Sequence, residues 1–349
     1  MRESAFGGND MSSAQPVSGQ PTPERVFEIL TGYQQSAALK AAIELDVFTA
    51  IAEGNHDVAA IARRCSASER GIRILCDFLA VGELITKTDG KYGLAPDAAA
   101  FLSRKSPAYM GSVHKFLLSA DSVEHIMELT TTVKNGTVAD KEGSTKPENP
   151  IWVEFARSMA PMMAVPAEIL AQTIGSAEGK KWKVLDIAAG HGLFGVTVAR
   201  HNPNAEIVAL DWPAVLEVAK ENAAAAGVAN RHKTLPGSAF DVDYGAGYDV
   251  ILLTNFLHHF DVPTNEKLLR KVHAALASGG RAVALEFVPN EDRISPPMSA
   301  RFSLVMLANT VAGDAYTFSQ YQKMFANAGF KSSELHVPPV GEQIIVAEK

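Results

Sequence analysis

The stretch Val184–Gly195, "VLDIAAGHGLFG", decides how the second half of the chain is read. An apolar, β-branched run ends at Asp186 and Ile187, and Gly190, His191 and Gly192 follow. After them, "LFGVTVARHN" has helical periodicity. A strand, a turn and a helix thus succeed one another. Glycines in such a turn let the chain bend sharply and let a ligand approach the bare backbone. Gly190, Gly192 and Gly195 also spell G-x-G-x-x-G, a string common to several cofactor sites and weak evidence alone.

Downstream, the pattern repeats. "KWKVLDIA", "AEIVALD", "RHKTLP", "YDVILLT", "GRAVALEF" and "QIIVAEK" are strand-like runs, and the helical stretches "WPAVLEVAKENAAAAG" and "NEKLLRKVHAALASG" fall among them. Strands alternating with helices predict an α/β fold with a parallel sheet covered on both faces. Two runs near 331–337 and 342–348 predict an antiparallel pair at the sheet edge. Ligands on such a sheet bind at the carboxyl ends of the strands.

Upstream, residues 24–106 read as helices followed by a hairpin. "QQSAALKAAIELDVFTAIA" places Ala38, Leu39, Ala42, Ile43, Leu45 and Val47 on one broad apolar face. Asp57 and Ser68 are expected helix N-caps, and Asp89-Gly90 is expected to turn the hairpin. This winged-helix arrangement raises a DNA-binding reading. The net charge of −7 and the acidic residues among Arg63, Arg64, Arg70 and Arg73 oppose it. Residues 107–175 read as a helical bridge of two long apolar-periodic segments around a polar loop. Residues 1–23, rich in Gly, Ser, Pro and Gln, read as a disordered leader without a signal peptide. No apolar run is long enough to span a membrane, and a cytoplasmic protein is expected. Cys65 and Cys76 are expected as buried thiols more readily than as a disulfide, and no Cys/His cluster has metal spacing. Asn135-Gly136-Thr137 fits a glycosylation sequon and is taken as chance.

Two carboxylates bear on the ligand. Asp186 places negative charge beside the glycine turn, which disfavours a pyrophosphate and favours a ligand with a positive group, such as S-adenosylmethionine. The alternative is a helix-capping or turn-bonding carboxylate. Asp211 ends the next strand, placed to accept ribose hydroxyls of NAD or of S-adenosylmethionine.

"VLDIAAGHG", "ALDWP", "LPGSAF", "LLTNFLHHF" and "ASGGRAVALEFV", in this order, resemble the successive motifs of class I S-adenosylmethionine-dependent methyltransferases, and within them the small-molecule O-methyltransferases. "ALKAAIELDVFTAI" and "GKYGLAPDAAAFL" resemble that family's N-terminal winged-helix dimerisation domain. The resemblance implies a Rossmann-like seven-stranded domain over residues 176–349, S-adenosyl-L-methionine as cofactor with no metal, a small hydroxylated substrate, and a homodimer. It also implies that Gly190, Gly192, Asp211, Trp212, Ser238, Ala239, Phe240, Thr254 and Asn255 meet the cofactor, with Asp186 beside them. Ser238 stands where the family has Asp.

The same resemblance makes His258 the general base and Glu286 the carboxylate behind it. An imidazole suits removal of a hydroxyl proton near neutral pH, and a carboxylate fixes its tautomer. His258 is alternatively a packing residue at a helix start. His259 and Phe260 depart from the family string, and Ala315 stands where the family has a second Glu, beside Asp314. Phe155, Met159, Met162, Met298, Phe302 and Met306 are read either as an apolar acceptor pocket or as core. His191 is expected to be a solvated loop residue. C- or N-methyl transfer, a winged-helix regulator and an NAD oxidoreductase remain as other readings.

Overall fold

The structure is a computed structural model that describes residues 21–139, 143–146, 148–339 and 341–349. Most of the expected leader therefore lies outside the described residues.

The N-terminal unit comprises α1 (Glu24–Glu44), α2 (Val47–Ala52), α3 (Val58–Arg64), α4 (Glu69–Val81), the hairpin β1 (Ile85–Thr88) and β2 (Lys91–Leu94), and α5 (Pro96–Phe101). Its core gathers Ile43, Phe48, Ile51, Ile61, Ile72, Leu79, Ile85 and Tyr92. The caps form as expected: Ala60 N–H donates to Asp57 and Gly71 N–H to Ser68. Asp89 and Gly90 both adopt positive φ, the conformation a two-residue hairpin turn requires. The apolar stripe from Ala38 to Val47 is not continuous. Asp46 takes a left-handed φ of 61°, which ends α1 and redirects the chain, so Leu45 faces outward. Cys65 and Cys76 are buried thiols, and burial pushes Cys76 up to about 12.

The first of the two long helical segments expected next is divided into α6 (His114–Leu117), α7 (Ala120–Met127) and α8 (Leu129–Asn135). Ser119 accepts the Ser122 N–H and so starts a new helix there. The second is a single helix, α9 (Ile151–Thr173), despite Pro161 and Pro166 within it.

Beyond α9 come β3 (Lys183–Ile187), α10 (Leu193–His201), β4 (Glu206–Asp211), α11 (Pro213–Ala225), β5 (His232–Pro236), β6 (Tyr248–Thr254), α12 (Val262–Ala275), β7 (Leu276–Glu286), α13 (Pro297–Asn309), α14 (Phe318–Asn327), β8 (Ser332–His336) and β9 (Gln343–Glu348). The seven strands are ordered β5-β4-β3-β6-β7-β9-β8. All pair in parallel except β9, antiparallel to both β7 and β8, as the terminal runs predicted.

Alternation along the strands builds both faces. Leu185, Ile187, Ile251, Leu253, Ala282 and Ala284 face α12 and α14. Val184, Val250, Leu252, Val283 and Leu285 face α10 and the C-terminal half of α9. Each fully buried Val, Leu or Ile among them contributes roughly 1.5–3 kcal/mol. The carboxyl ends of β3, β4, β6 and β7 consequently open along one edge of the sheet, where Asp186, Asp211, Thr254 and Glu286 fall.

Candidate active site

The glycine turn leaves β3 through Ala188, Gly190 and Gly192, at φ of 54°, 56° and 72°. Gly190 N–H donates to Asp211 Oδ2 at 2.8 Å and Trp212 N–H to Asp211 Oδ1 at 2.7 Å, so the end of β4 pins the turn. Asp186 is fully buried. Its Oδ2 accepts the Gly195 N–H at 3.0 Å, which is the turn-bonding role, while Oδ1 is buried without a partner among the described residues. Burial raises the carboxyl of Asp186 to about 7 and that of Asp211 to about 6. Gly195 is a packing residue: a Cβ there would lie 2.7 Å from Ile207 Cγ2 and 3.0 Å from Asp186 Oδ2.

His191 departs from expectation. It is buried, its Nδ1 accepts the Leu193 N–H, and Phe155 stacks parallel to its ring. Burial lowers its pKa to about 4, so it is neutral. The sequence offered no sign of this because the covering residue, Phe155, comes from α9. Phe155 also reaches Gly190, where its Cε1 would touch an added Cβ at 3.9 Å.

Further along the same edge, Ser238 Oγ accepts the Phe240 N–H, and Ala239 is buried. Phe240, Phe256 and Phe260 form an edge-to-face cluster, with Phe240 and Phe260 at 5.0 Å. Trp212 packs with Trp152 and Val153 against Ala156, Val215 and Val218. Thr254 is buried at the end of β6. Asn255 takes a φ of 53° and donates its N–H to the Leu285 carbonyl, which turns the chain out of the sheet.

That turn delivers His258 to Glu286. Both are buried, and His258 Nδ1 lies 2.5 Å from Glu286 Oε2. Glu286 Oε1 accepts the N–H groups of Phe256 at 3.1 Å and Leu257 at 2.8 Å. In the tautomer that donates Nδ1–H to this carboxylate, the lone pair of the His258 ring sits on Nε2. Asn265 on α12 secures the loop from beneath by donating to the carbonyls of Leu257 and Phe260. Tyr316 donates to the Phe260 carbonyl at 2.6 Å, and Asp314 N–H to the His258 carbonyl at 3.0 Å. His259 packs edge-on to Trp152, and burial together with His258 holds it well below the ordinary histidine range. Asn265 and Tyr316 carry no motif, so sequence reasoning passed over them; it reached this segment only at Asp314 and Ala315, as the place of the family's second Glu.

The six apolar candidates do not share one surface. Phe302 stacks on Phe287 and meets the His258 ring edge-on at 4.8 Å. Met306 is buried on α13, Met159 is buried on α9, and Met162 packs against the core beneath α9. Met298 is 58% exposed, and its Sδ fills the space beside Gly341. One acidic residue had no place in the sequence reading. Glu342, just before β9, is buried, and its Oε1 accepts Asn255 Nδ2 at 3.3 Å.

Residues 153–331 match the O-methyltransferase domain, and residues 27–104 match the O-methyltransferase dimerisation domain. The chain belongs to the O-methyltransferase family. The solved structure of a Nostoc punctiforme protein described as an O-methyltransferase is 52% identical, with a TM-score of 0.91 over 95% of this chain and 100% of that one. The 3-hydroxy-5-methyl-1-naphthoate 3-O-methyltransferase of Streptomyces sahachiroi is 27% identical over 88% of this chain and 89% of its own. Human N-acetylserotonin methyltransferase, solved with S-adenosylmethionine, shares the fold at 22% identity, with a TM-score of 0.82 over 96% of this chain and 99% of its own. This O-methyltransferase is a methyltransferase dependent on S-adenosylmethionine, and its dimerisation domain supports a homodimer. The edge of the sheet fits such a cofactor: two carboxylates bracket the turn, and one carries a buried oxygen without a partner among the described residues.

Proposed function

We propose that this O-methyltransferase methylates a hydroxyl of a small aromatic or polyketide-like metabolite, with His258 as general base and Glu286 as the carboxylate that orients it. The observation that carries this reading is the buried His258–Glu286 pair at 2.5 Å, with Glu286 tied to two backbone donors. When bound, S-adenosylmethionine supplies an electrophilic methyl group on its sulfonium. Gly190 and Gly192 would admit its methionine end, and Asp211 its ribose. Trp212, Ser238, Ala239 and Phe240 would surround its adenine, with Thr254 and Asn255 below the methyl group. Asp186 would contribute negative charge beneath the turn. The 24–106 unit would form the dimer.

His258 Nε2 takes the hydroxyl proton as the oxygen becomes the nucleophile, and Glu286 stabilises the imidazolium that results. Phe302 against His258, Trp152 against His259 and the Phe256–Phe260 pair would keep water away from the reacting hydroxyl. The naphthoate relative is consistent with a fused aromatic acceptor. Transfer of labelled methyl to hydroxynaphthoates, with the product's attachment site read by NMR, tests the reaction. His258→Ala should lower kcat by ~10²–10⁴. Turnover near that of the wild type would remove His258 from the role, and a carbon-methylated product would replace the O-transfer reading.

A further inference from the structure

The dyad leaves one ionisable group of this edge unused. Glu342 is buried at the start of β9, where Gln343 pairs with Glu286 across the sheet, and its carboxylate reaches Asn255 at the end of β6. Among the described residues the 3.3 Å contact with Asn255 Nδ2 is its single side-chain hydrogen bond, and Asn255 Nδ2 is shared with Met163 Sδ at 3.6 Å. Asn255 Oδ1 is buried without a partner among the described residues. Of this pair Asn255 Oδ1 is the buried acceptor left without a donor, and the Glu342 carboxylate lies beside it with a single hydrogen bond of its own among the described residues. Buried acceptors of this kind cost stability unless a donor arrives. The structural alternative, a carboxylate that merely holds Asn255, is served poorly by one long contact. An amide or an apolar residue would do so without burying a charge.

We infer that Glu342 and Asn255 form an acceptor-selecting subsite, which takes a second hydrogen-bond donor, a hydroxyl or an amino group, carried next to the hydroxyl that is methylated. This rests on the reading of His258 as the group facing the reacting hydroxyl. Burial raises the Glu342 carboxyl to about 7, with Glu286 adding to the rise and His258 and Asn255 opposing it. Glu342 therefore feels both members of the dyad. A bound donor would satisfy its oxygens and restore the ionised form. A lone hydroxyl would leave them unsatisfied, which is the stronger form of discrimination. Neither Glu342 nor Asn255 is given a part in proton removal.

The test compares 2,3-dihydroxynaphthalene with 2-naphthol, which lacks the second hydroxyl, on the full-length protein saturated with S-adenosylhomocysteine. Binding is read by calorimetry in the wild type and in Glu342→Gln, a substitution that keeps the shape of the side chain. The expected result is tighter binding of the diol by the wild type, by about tenfold or more. Glu342→Gln should abolish that preference while leaving 2-naphthol and S-adenosylhomocysteine affinities unchanged, and its melting temperature should be no lower than that of the wild type. Equal affinity for the two ligands in the wild type, or a diol preference that survives in Glu342→Gln, overturns the proposal. Equal weakening of both ligands overturns it too and leaves Glu342 a structural role. Binding does not require turnover. A diol that binds selectively but is not methylated would contradict the proposed reaction and leave the subsite standing.

Discussion

At the scale of single residues, Asp186 serves two ends that conflict. Its carboxylate holds the Gly195 N–H, yet the burial of its other oxygen raises its pKa to about 7. Asp186→Asn keeps a carbonyl oxygen for Gly195 and removes the buried charge. It should raise thermal stability above pH 7, by ~1–3 kcal/mol, and weaken S-adenosylmethionine binding. Parallel melting and calorimetric titrations check this, and a loss of stability with unchanged affinity would mark Asp186 as purely structural. Gly195→Ala has no such trade-off. Its Cβ would press on Ile207 and Asp186, so it should lower stability by about 1–3 kcal/mol through overpacking, read by denaturant unfolding.

At the scale of elements, the loop between β6 and α12 is fixed by neighbours distant in sequence. Gly313 lies so close that an added Cβ would fall 2.3 Å from the His258 carbonyl oxygen. Gly313→Ala should therefore displace the loop, lowering kcat at least tenfold while S-adenosylmethionine affinity holds; steady-state kinetics with calorimetry separates the two. The elements themselves were largely legible. Strand alternation, the Asp57 and Ser68 caps and the Asp89-Gly90 turn are local signals, and each reappears in the structure. The break at Asp46 and the division of the segment before α8 were not, because apolar periodicity continues through both. The likeness of "LLTNFLHHF" and "ASGGRAVALEFV" to family motifs brought His258 and Glu286 together before any coordinates did. Glu342 escaped because its significance depends on β9 inserting beside β7, a tertiary fact with no motif. The burial of His191 escaped for the same reason.

At the scale of the whole molecule, three buried carboxyls carry raised values: Asp186 and Glu342 at about 7, and Asp211 at about 6. A raised carboxyl pKa gives stability that is complete below the unfolded value near 4 and is lost as pH rises through the folded value. His191, lowered to about 4, acts oppositely, but its contribution is complete once pH exceeds its unfolded value of about 6.5. The carboxyls alone should therefore make the free protein less thermostable between pH 6.5 and 8. Saturation with S-adenosylmethionine should flatten that slope, because a cation near Asp186 favours its ionised form. Melting curves across this range, with and without ligand, decide the matter. The N-terminal half of α1 exposes Phe27 (60%), Ile29 (73%) and Leu30 (64%) on the matched dimerisation domain. Phe27→Lys with Leu30→Glu should convert a dimer to monomer in light scattering, if that face is the subunit contact.

Glu286 ends β7, a strand buried along its C-terminal half, while Phe302 and Met306 ride on α13, a helix packed against α7 and α8. The proposed proton-handling pair thus takes its geometry from a buried strand end, where substitutions are felt strongly. The proposed acceptor contact at Phe302 is mounted separately. A lineage, or an engineer, could exchange residues along α13 and reach new metabolites without re-aiming the base, so chemistry would persist while diet changes.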